Sequence, residues 1–332
     1  MAGATAGRGG VGRVLTRGRG RRESARSYCG GKRRLKCFVR LDPYDPSGMD
    51  RSGEPTLRLV IFDLDGVIYR GRQPVPGAAP LVAALRKRGL LIRFATNNSM
   101  ATRGTYVPRL VEMGVPVEPD EIVTSTSATI DHLRGHLPDV RTVMAVGAAG
   151  MLEELRTAGF DATAAGDAVD ASYDGGPLDA SYDAVIAGLD PSFDFRRLAA
   201  ASTAIRAGAR FIATNADLRY PTPTGFLPGA GSIIAALRAA SGAEPLIIGK
   251  PEPGIFQAIL ERAGIRPAEA VAIGDNPDAD MVAAHRAGMR SILVLTGVAD
   301  SALAATLDGE RRPDHVAGGP SDVAELLRRG LS

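Results

Sequence analysis

The chain has 332 residues, a length that suggests two domains, with 45% hydrophobic residues and a formal net charge of +3. That charge is unevenly placed. Residues 1–48 hold twelve Arg and Lys against three Asp and Glu, a net of +9, so residues 49–332 hold 28 basic and 34 acidic residues, a net of −6. An acidic body has no reason to favour nucleic acid, and without a run of ~18 apolar residues the chain offers no transmembrane helix. Both cysteines, Cys29 and Cys37, fall in the basic segment, so the body has no disulfide framework, thiol nucleophile or thiolate metal site. A cytoplasmic enzyme is the expected setting.

Residues 1–48 are rich in Gly, Arg and Ser, show no apolar periodicity and lack the apolar stretch of a secretory signal. They read as a disordered basic leader, or as an over-extended start for which Met49, just before the first strand, is the alternative; the leader is taken as 1–56.

The body opens on Leu59-Val60-Ile61-Phe62-Asp63-Leu64-Asp65-Gly66-Val67. A short unbroken apolar run reads as a buried strand of a parallel sheet, and the two carboxylates stand where it ends, on one side while the chain stays extended. A solvated Asp-Leu-Asp-Gly turn has the same composition, so the pair alone decides nothing. An irregular Pro/Gly loop covers 70–77, a helix 78–88 with Gly89 as its stop, and Leu90 to Ala95 is a second buried strand. Thr96, Asn97, Asn98 and Ser99 follow and read as the cap of a helix reaching about Met113 and as an anion site at that helix start, two readings that can hold together. Strand–helix–strand–helix spacing of this kind is the signature of a parallel α/β sheet.

Residues 122–127 read as a strand or hinge. A second unit follows: helix 128–136, strand 142–146, helix 149–158, strand 184–188, helix 195–207, strand 210–214, a Gly/Pro-rich loop 215–231 and helix 232–240. Within it, Asp161 to Asp183 reads as a loose surface insertion containing Asp-Ala-Ser-Tyr-Asp twice, at 170–174 and 179–183. The first architecture resumes at Pro245, with strand Leu246 to Gly249, Lys250, helix 254–263, strand 270–273 ending in Gly274-Asp275-Asn276-Pro277-Asp278-Ala279-Asp280, strand 291–295 and a last helix 322–329. The four histidines, His132, His136, His285 and His315, lie in no motif.

Four strand ends thus carry polar groups: Asp63 and Asp65; Thr96, Asn97 and Asn98; Lys250; Asp275 and Asp280. Right-handed crossovers put such ends on one edge. Of the 28 cations in the body only Lys87 and Lys250 are lysines, so a lysine between Gly249 and Pro251 suggests a need for a compact point charge rather than a generic positive one. Carboxylates, one ammonium and hydroxyl, amide and N–H donors suit a phosphate and a hard divalent cation such as Mg²⁺, with a carboxylate as candidate nucleophile. The spacing does not choose between Asp63 and Asp65.

The four motifs in this order resemble the haloacid dehalogenase (HAD) superfamily of phosphohydrolases, over about residues 57–330. Phrases such as Thr96-Asn-Asn-Ser, Pro228-Gly-Ala-Gly-Ser and Gly249-Lys-Pro-Glu-Pro resemble its subfamily IIA, the branch of NagD-like, 4-nitrophenyl phosphate and phosphoglycolate phosphatases. The resemblance implies a Rossmann-like doubly wound core at 57–127 and 245–332 with an inserted α/β type II (C2) cap at 128–244, the cap being a candidate homodimer surface. It implies Asp63 as nucleophile through an aspartyl-phosphate, Asp65 as acid and base, and Mg²⁺ held by Asp63, the Asp65 carbonyl and Asp275 with Asp280 in support. Thr96 and the backbone at Asn97 and Asn98 would hold the phosphoryl oxygens and Lys250 would neutralise charge. Asn276-Pro277-Asp278 departs from the family's usual run, so local metal geometry is open there. The substrate is expected to be a small phosphorylated metabolite, met by Asn215, Asp217, Arg219 and Tyr220 of the cap, unless Asn215 and Asp217 only tie their own turn. A catalytically silent phosphate-binding module is the alternative, disfavoured by the intact Asp63, Asp65 and Lys250.

Overall fold

The computed structural model describes residues 56–168, 178, 181–222 and 225–331. The expectations for the leader and Met49, and for the first copy of the repeated pentapeptide, lie outside these residues.

The unbroken apolar runs form a parallel six-stranded sheet in the order His315–Ala317, Arg290–Val294, Ala270–Gly274, Leu59–Asp63, Leu91–Thr96, Ile122–Thr124. Leu59 to Phe62 are buried because helices cover both faces. Val60 and Phe62 pack with Leu81, Leu85, Leu110 and Val323 on one side, while Leu59 and Ile61 pack with Ile255, Ile259 and Ala283 on the other. Each such fully buried side chain contributes about 1.5–3 kcal/mol. Strand order reverses on either side of Leu59–Asp63, which opens a crevice at its carboxyl end, the usual ligand position in an open α/β sheet.

A second parallel sheet has the order Leu246–Ile247, Arg210–Ala213, Ala184–Ala187, Thr142–Val146, Asp161–Ala164. One face packs on helices Phe195–Arg206 and Ala230–Ser241; the other, through Val143, Ala145, Ile186 and Ile212, joins the same apolar cluster as Leu59 and Ile61. The α/β core and its inserted cap sheet therefore share a continuous apolar contact.

Several elements differ from the sequence reading. Leu246–Ile247 was expected to resume the first sheet but pairs with Ile212 and Ala213 at the edge of the second. A strand at Asp161–Ala164 replaces the start of the expected loose segment, its small alternating residues giving little apolar signal. The 70–77 loop contains a short hairpin, Tyr69–Arg70 with Gln73–Pro74, and the 215–231 loop contains another, Arg219–Thr222 with Gly225–Pro228. The helix after Thr96 begins only at Arg103, with Thr102 at its cap position, so Thr96 to Ser99 form a free loop rather than a helix cap. Helix Ser125–His136 follows strand Ile122–Thr124 directly, capped by the Thr124 hydroxyl, which accepts from Ser127 N.

Candidate active site

The crevice receives Asp63 from the end of the central strand, Thr96 from its neighbour and Asp275 from just beyond Ala270–Gly274. Lys250 enters from the cap side, on the segment that follows Leu246–Ile247. Its Nζ donates to Asp63 Oδ1 and to Asp280 Oδ1, both at 2.6 Å. Lys250 is 3% exposed, Asp280 2% and Asp275 5%. Buried charges persist only when paired, and here one ammonium faces three carboxylates: oxygens of Asp63, Asp275 and Asp280 lie within 4.8 Å of one another.

That imbalance shows in the proton affinities. Burial raises the Asp63 carboxyl well above its ordinary range; Lys250 opposes this, and Asp280 and Asp275 add to it. Burial, then Asp280, pushes Asp275 up to about 7. Burial alone would lower Lys250, but Asp280 and Asp63 more than offset it and its pKa stands above the ordinary value. A pocket of hard oxygen donors carrying excess negative charge fits a small divalent cation such as Mg²⁺.

The carboxylate of Asp275 is closely cradled. Its Oδ2 accepts from Val298 N at 2.7 Å, and a Cβ placed on either Gly66 or Gly297 would collide with it. Gly66 also adopts φ 77, the left-handed region that favours glycine, as the chain turns sharply after Asp65. Thr296 Oγ1 donates to the Gly66 carbonyl at 2.6 Å and ties the two loops together. Beyond Asp275, Asn276 N donates to Asp280 Oδ2 at 3.1 Å and the Asn276 side chain accepts from Asp278 N at 3.0 Å. The unusual Asn276-Pro277-Asp278 run thus caps the turn that brings Asp280 back to Lys250, with Asp278 exposed.

Asp65 is more open than Asp63. Its surroundings still raise its carboxyl, chiefly by partial desolvation, with Arg109 and then Lys250 opposing. Arg109 acts on its charge, and Asp65 acts in turn on the Tyr69 and Tyr106 phenols; sequence reasoning selected none of the three. The Arg109 guanidinium lies 3.6 Å from the Tyr69 ring centroid and donates to the Gly71 carbonyl. Burial pushes the Tyr69 and Tyr106 phenols up. The i, i+3 spacing of Tyr106 and Arg109 on one helix was the available signal.

Thr96 is buried, and its hydroxyl accepts from Asn98 N at 3.2 Å; the Asn98 side chain accepts from Met100 N at 2.8 Å. Asn97 faces the other way. Its Oδ1 accepts from Lys250 N at 2.9 Å while its Nδ2 donates to the Lys250 carbonyl at 2.7 Å and to Asp217 Oδ2 at 3.0 Å. Asn215 Nδ2 donates to the same Asp217 oxygen at 2.8 Å. The side chains of Asn215 and Asp217 therefore bond each other and the core, which goes beyond tying their own turn. Arg219 is exposed, 5.7 Å over the Phe226 ring, and Tyr220 lies near enough to Tyr106 to act on its ionisation. The histidines stay outside the site; His132 and His136 stack on each other at 4.5 Å.

A parallel sheet with an acid-lined switch-point crevice and a buried lysine defines a hydrolase of the HAD type, and comparison agrees. Residues 60–161 match the family model for haloacid dehalogenase-like hydrolases, and residues 247–326 match a second HAD-hydrolase-like model. The chain is 34% identical to D-glycerol 3-phosphate phosphatase of Mycobacterium tuberculosis, over 77% of this chain and 68% of that one. It is 33% identical to the 5'-nucleotidase YutF of Bacillus subtilis, over 73% and 89%. Among solved structures, a glycerol phosphate phosphatase of Mycobacterium tuberculosis in complex with magnesium superposes with a TM-score of 0.70 at 32% identity, covering 82% of this chain and 78% of that one. The chain belongs to the haloacid dehalogenase-like hydrolases, in a branch of Mg²⁺-using phosphatases. No described helix is long and apolar enough to cross a membrane.

Proposed function

We propose that the protein hydrolyses a small phosphomonoester through an aspartyl-phosphate on Asp63. The observation that carries this is the Lys250 ammonium bridging Asp63 and Asp280 inside the three-carboxylate cluster. It holds the Asp63 carboxylate in a fixed orientation and offsets the charge that an incoming phosphoryl group brings.

An Asp63 oxygen attacks phosphorus, and the bond to the leaving alcohol's oxygen breaks. Asp65, whose raised carboxyl stays within reach of a proton, gives that proton to the departing alkoxide. In the second half Asp65 takes a proton from water as the water's oxygen attacks phosphorus, and the bond to Asp63 breaks to release phosphate. The Thr96 hydroxyl and the backbone N–H groups at Asn97 and Asn98 orient the phosphoryl oxygens. Mg²⁺, when held by Asp63, the Asp65 carbonyl and Asp275 with Asp280 in support, supplies charge neutralisation on those oxygens.

The relatives are named for glycerol phosphate, nucleotide, acid sugar and dihydroxyacetone substrates, which supports a small polar leaving group. Tyr220 and Arg219 of the cap hairpin are the proposed contacts to it. The test is Mg²⁺-dependent release of phosphate from 4-nitrophenyl phosphate and from a panel of small phosphomonoesters. Turnover that disappears in Asp63→Asn supports the reading; no turnover on any ester would favour a silent phosphate-binding module.

A further inference from the structure

The segment carrying Lys250 hangs from the cap rather than from the core. Leu246 and Ile247 pair with Ile212 and Ala213 of the cap sheet. Ile248 N then donates to the Ala213 carbonyl at 3.0 Å and Gly249 N to the Thr214 carbonyl at 2.8 Å. The approach is so close that a Cβ on Gly249 would stand 2.5 Å from the Thr214 carbonyl oxygen and 2.7 Å from Asn97 Oδ1. One core side chain grips the end of this segment. The Asn97 amide reads both backbone polar groups of Lys250, and its remaining N–H reaches the Asp217 carboxylate, at 3.0 Å to Oδ2 and 3.3 Å to Oδ1. Asn215 Nδ2 holds Asp217 from behind, and Thr214 Oγ1 donates to Asn215 Oδ1 at 3.1 Å. The donors and acceptors of the Asn97 amide are thereby committed to the lysine backbone and the cap loop.

We propose that Asp217 is a positioning residue for Lys250, acting through Asn97, rather than a contact to the leaving group. The chain Thr214–Asn215–Asp217–Asn97 fixes where the Lys250 backbone sits, and so where its ammonium meets Asp63 and Asp280. Loss of the Asp217 carboxylate frees an N–H of Asn97, lets the amide turn, and loosens the lysine backbone. The consequence falls on the chemical step common to every ester, because Lys250 contacts Asp63, the proposed nucleophile. A residue that touched the alcohol would instead alter the ranking of esters. The inference rests on the phosphatase reading above.

The experiment compares wild type, Asp217→Ala and Asp217→Asn on 4-nitrophenyl phosphate, glycerol 3-phosphate and a nucleoside monophosphate at saturating Mg²⁺, with thermal unfolding as a check on folding. Asp217→Ala is expected to lower kcat about tenfold or more by a similar factor on all three, with KM changed far less. Asp217→Asn, which keeps an acceptor for Asn97, is expected to recover most of that loss. If the alanine variant does not fold, the asparagine variant decides alone: a small loss of kcat common to the esters supports the assignment. An unchanged kcat in a folded Asp217→Ala, or in either variant a loss confined to KM or losses that differ widely between esters, would overturn it. Absence of wild-type turnover on all three would instead strike the phosphatase reading.

Discussion

Lys250 holds together charges that would otherwise repel each other, so its replacement carries two separate costs. Lys250→Ala leaves Asp63, Asp275 and Asp280 facing one another without the lysine ammonium; turnover is expected to fall by about 10³-fold or more, as when a principal charge-stabilising group is removed from a preorganised site. Lys250→Arg should not rescue it, because a planar guanidinium cannot occupy a 3%-exposed position built around a point charge 2.6 Å from two carboxylates. Steady-state kinetics of both variants with Mg²⁺ checks this; an active arginine variant would contradict it. Asp275 gives a pH prediction. Its carboxyl is raised from 3.8 to about 7 in the metal-free protein, so between those values the folded chain binds a proton that the unfolded chain does not. Stability from this group is thus present at low pH and is lost as pH rises through about 7. A Mg²⁺ ion held by Asp275 would compete with that proton, so the rise in Tm that Mg²⁺ produces should be larger near pH 8 than near pH 5.5, by the linkage of metal binding to ligand deprotonation. A shift independent of pH would place the cation elsewhere.

At the scale of elements, the site depends on loops brought together by glycines. Gly297 has no side chain to press on Asp275, and Gly66 meets the same carboxylate from the opposite loop. Gly297→Ala is expected to leave the sheets intact while displacing Asp275, weakening Mg²⁺ about 10–100-fold, the usual size of a support lost around a metal ligand. Calorimetric titration with Mg²⁺ measures it, and unchanged affinity would remove Asp275 from the metal site. The same scale shows what the sequence could and could not disclose. The strands Leu59–Asp63, Leu91–Thr96 and Ala270–Gly274 were legible because burial on both faces demands continuous apolar residues. Asp161–Ala164 was not, since its side chains are small and alternate with polar ones at a sheet edge. Leu246–Ile247 was visible as an apolar run, but two residues carry no information on which sheet they join. The strand-end positions of Asp63, Asp65 and Asp275 were readable, and the structure brings Asp63, Asp275 and Asp280 together around Lys250. The Asn97 side chain was not readable, because its hydrogen bonds run to the backbone of a residue 153 positions away.

For the whole molecule, the described acidic and basic groups of the site all lie between Asp63 and Asp280. A chain begun at Met49 is therefore expected to match the 332-residue chain in kcat and KM on the same esters; a large difference would assign residues 1–48 a part in the reaction. The core and cap sheets share one apolar cluster, and the lysine segment belongs to the cap sheet, so the site is complete only with both parts docked. In the proposed chemistry Asp63 carries the phosphoryl group between two half-reactions. This is tested most directly by acid-quenching the enzyme during turnover of a radiolabelled phosphomonoester and mapping the labelled peptide. Label is expected on the peptide containing Asp63, absent in Asp63→Asn and chased by water in the native enzyme. Turnover with no protein-bound label under conditions that trap acyl phosphates, or label on another residue, would contradict it.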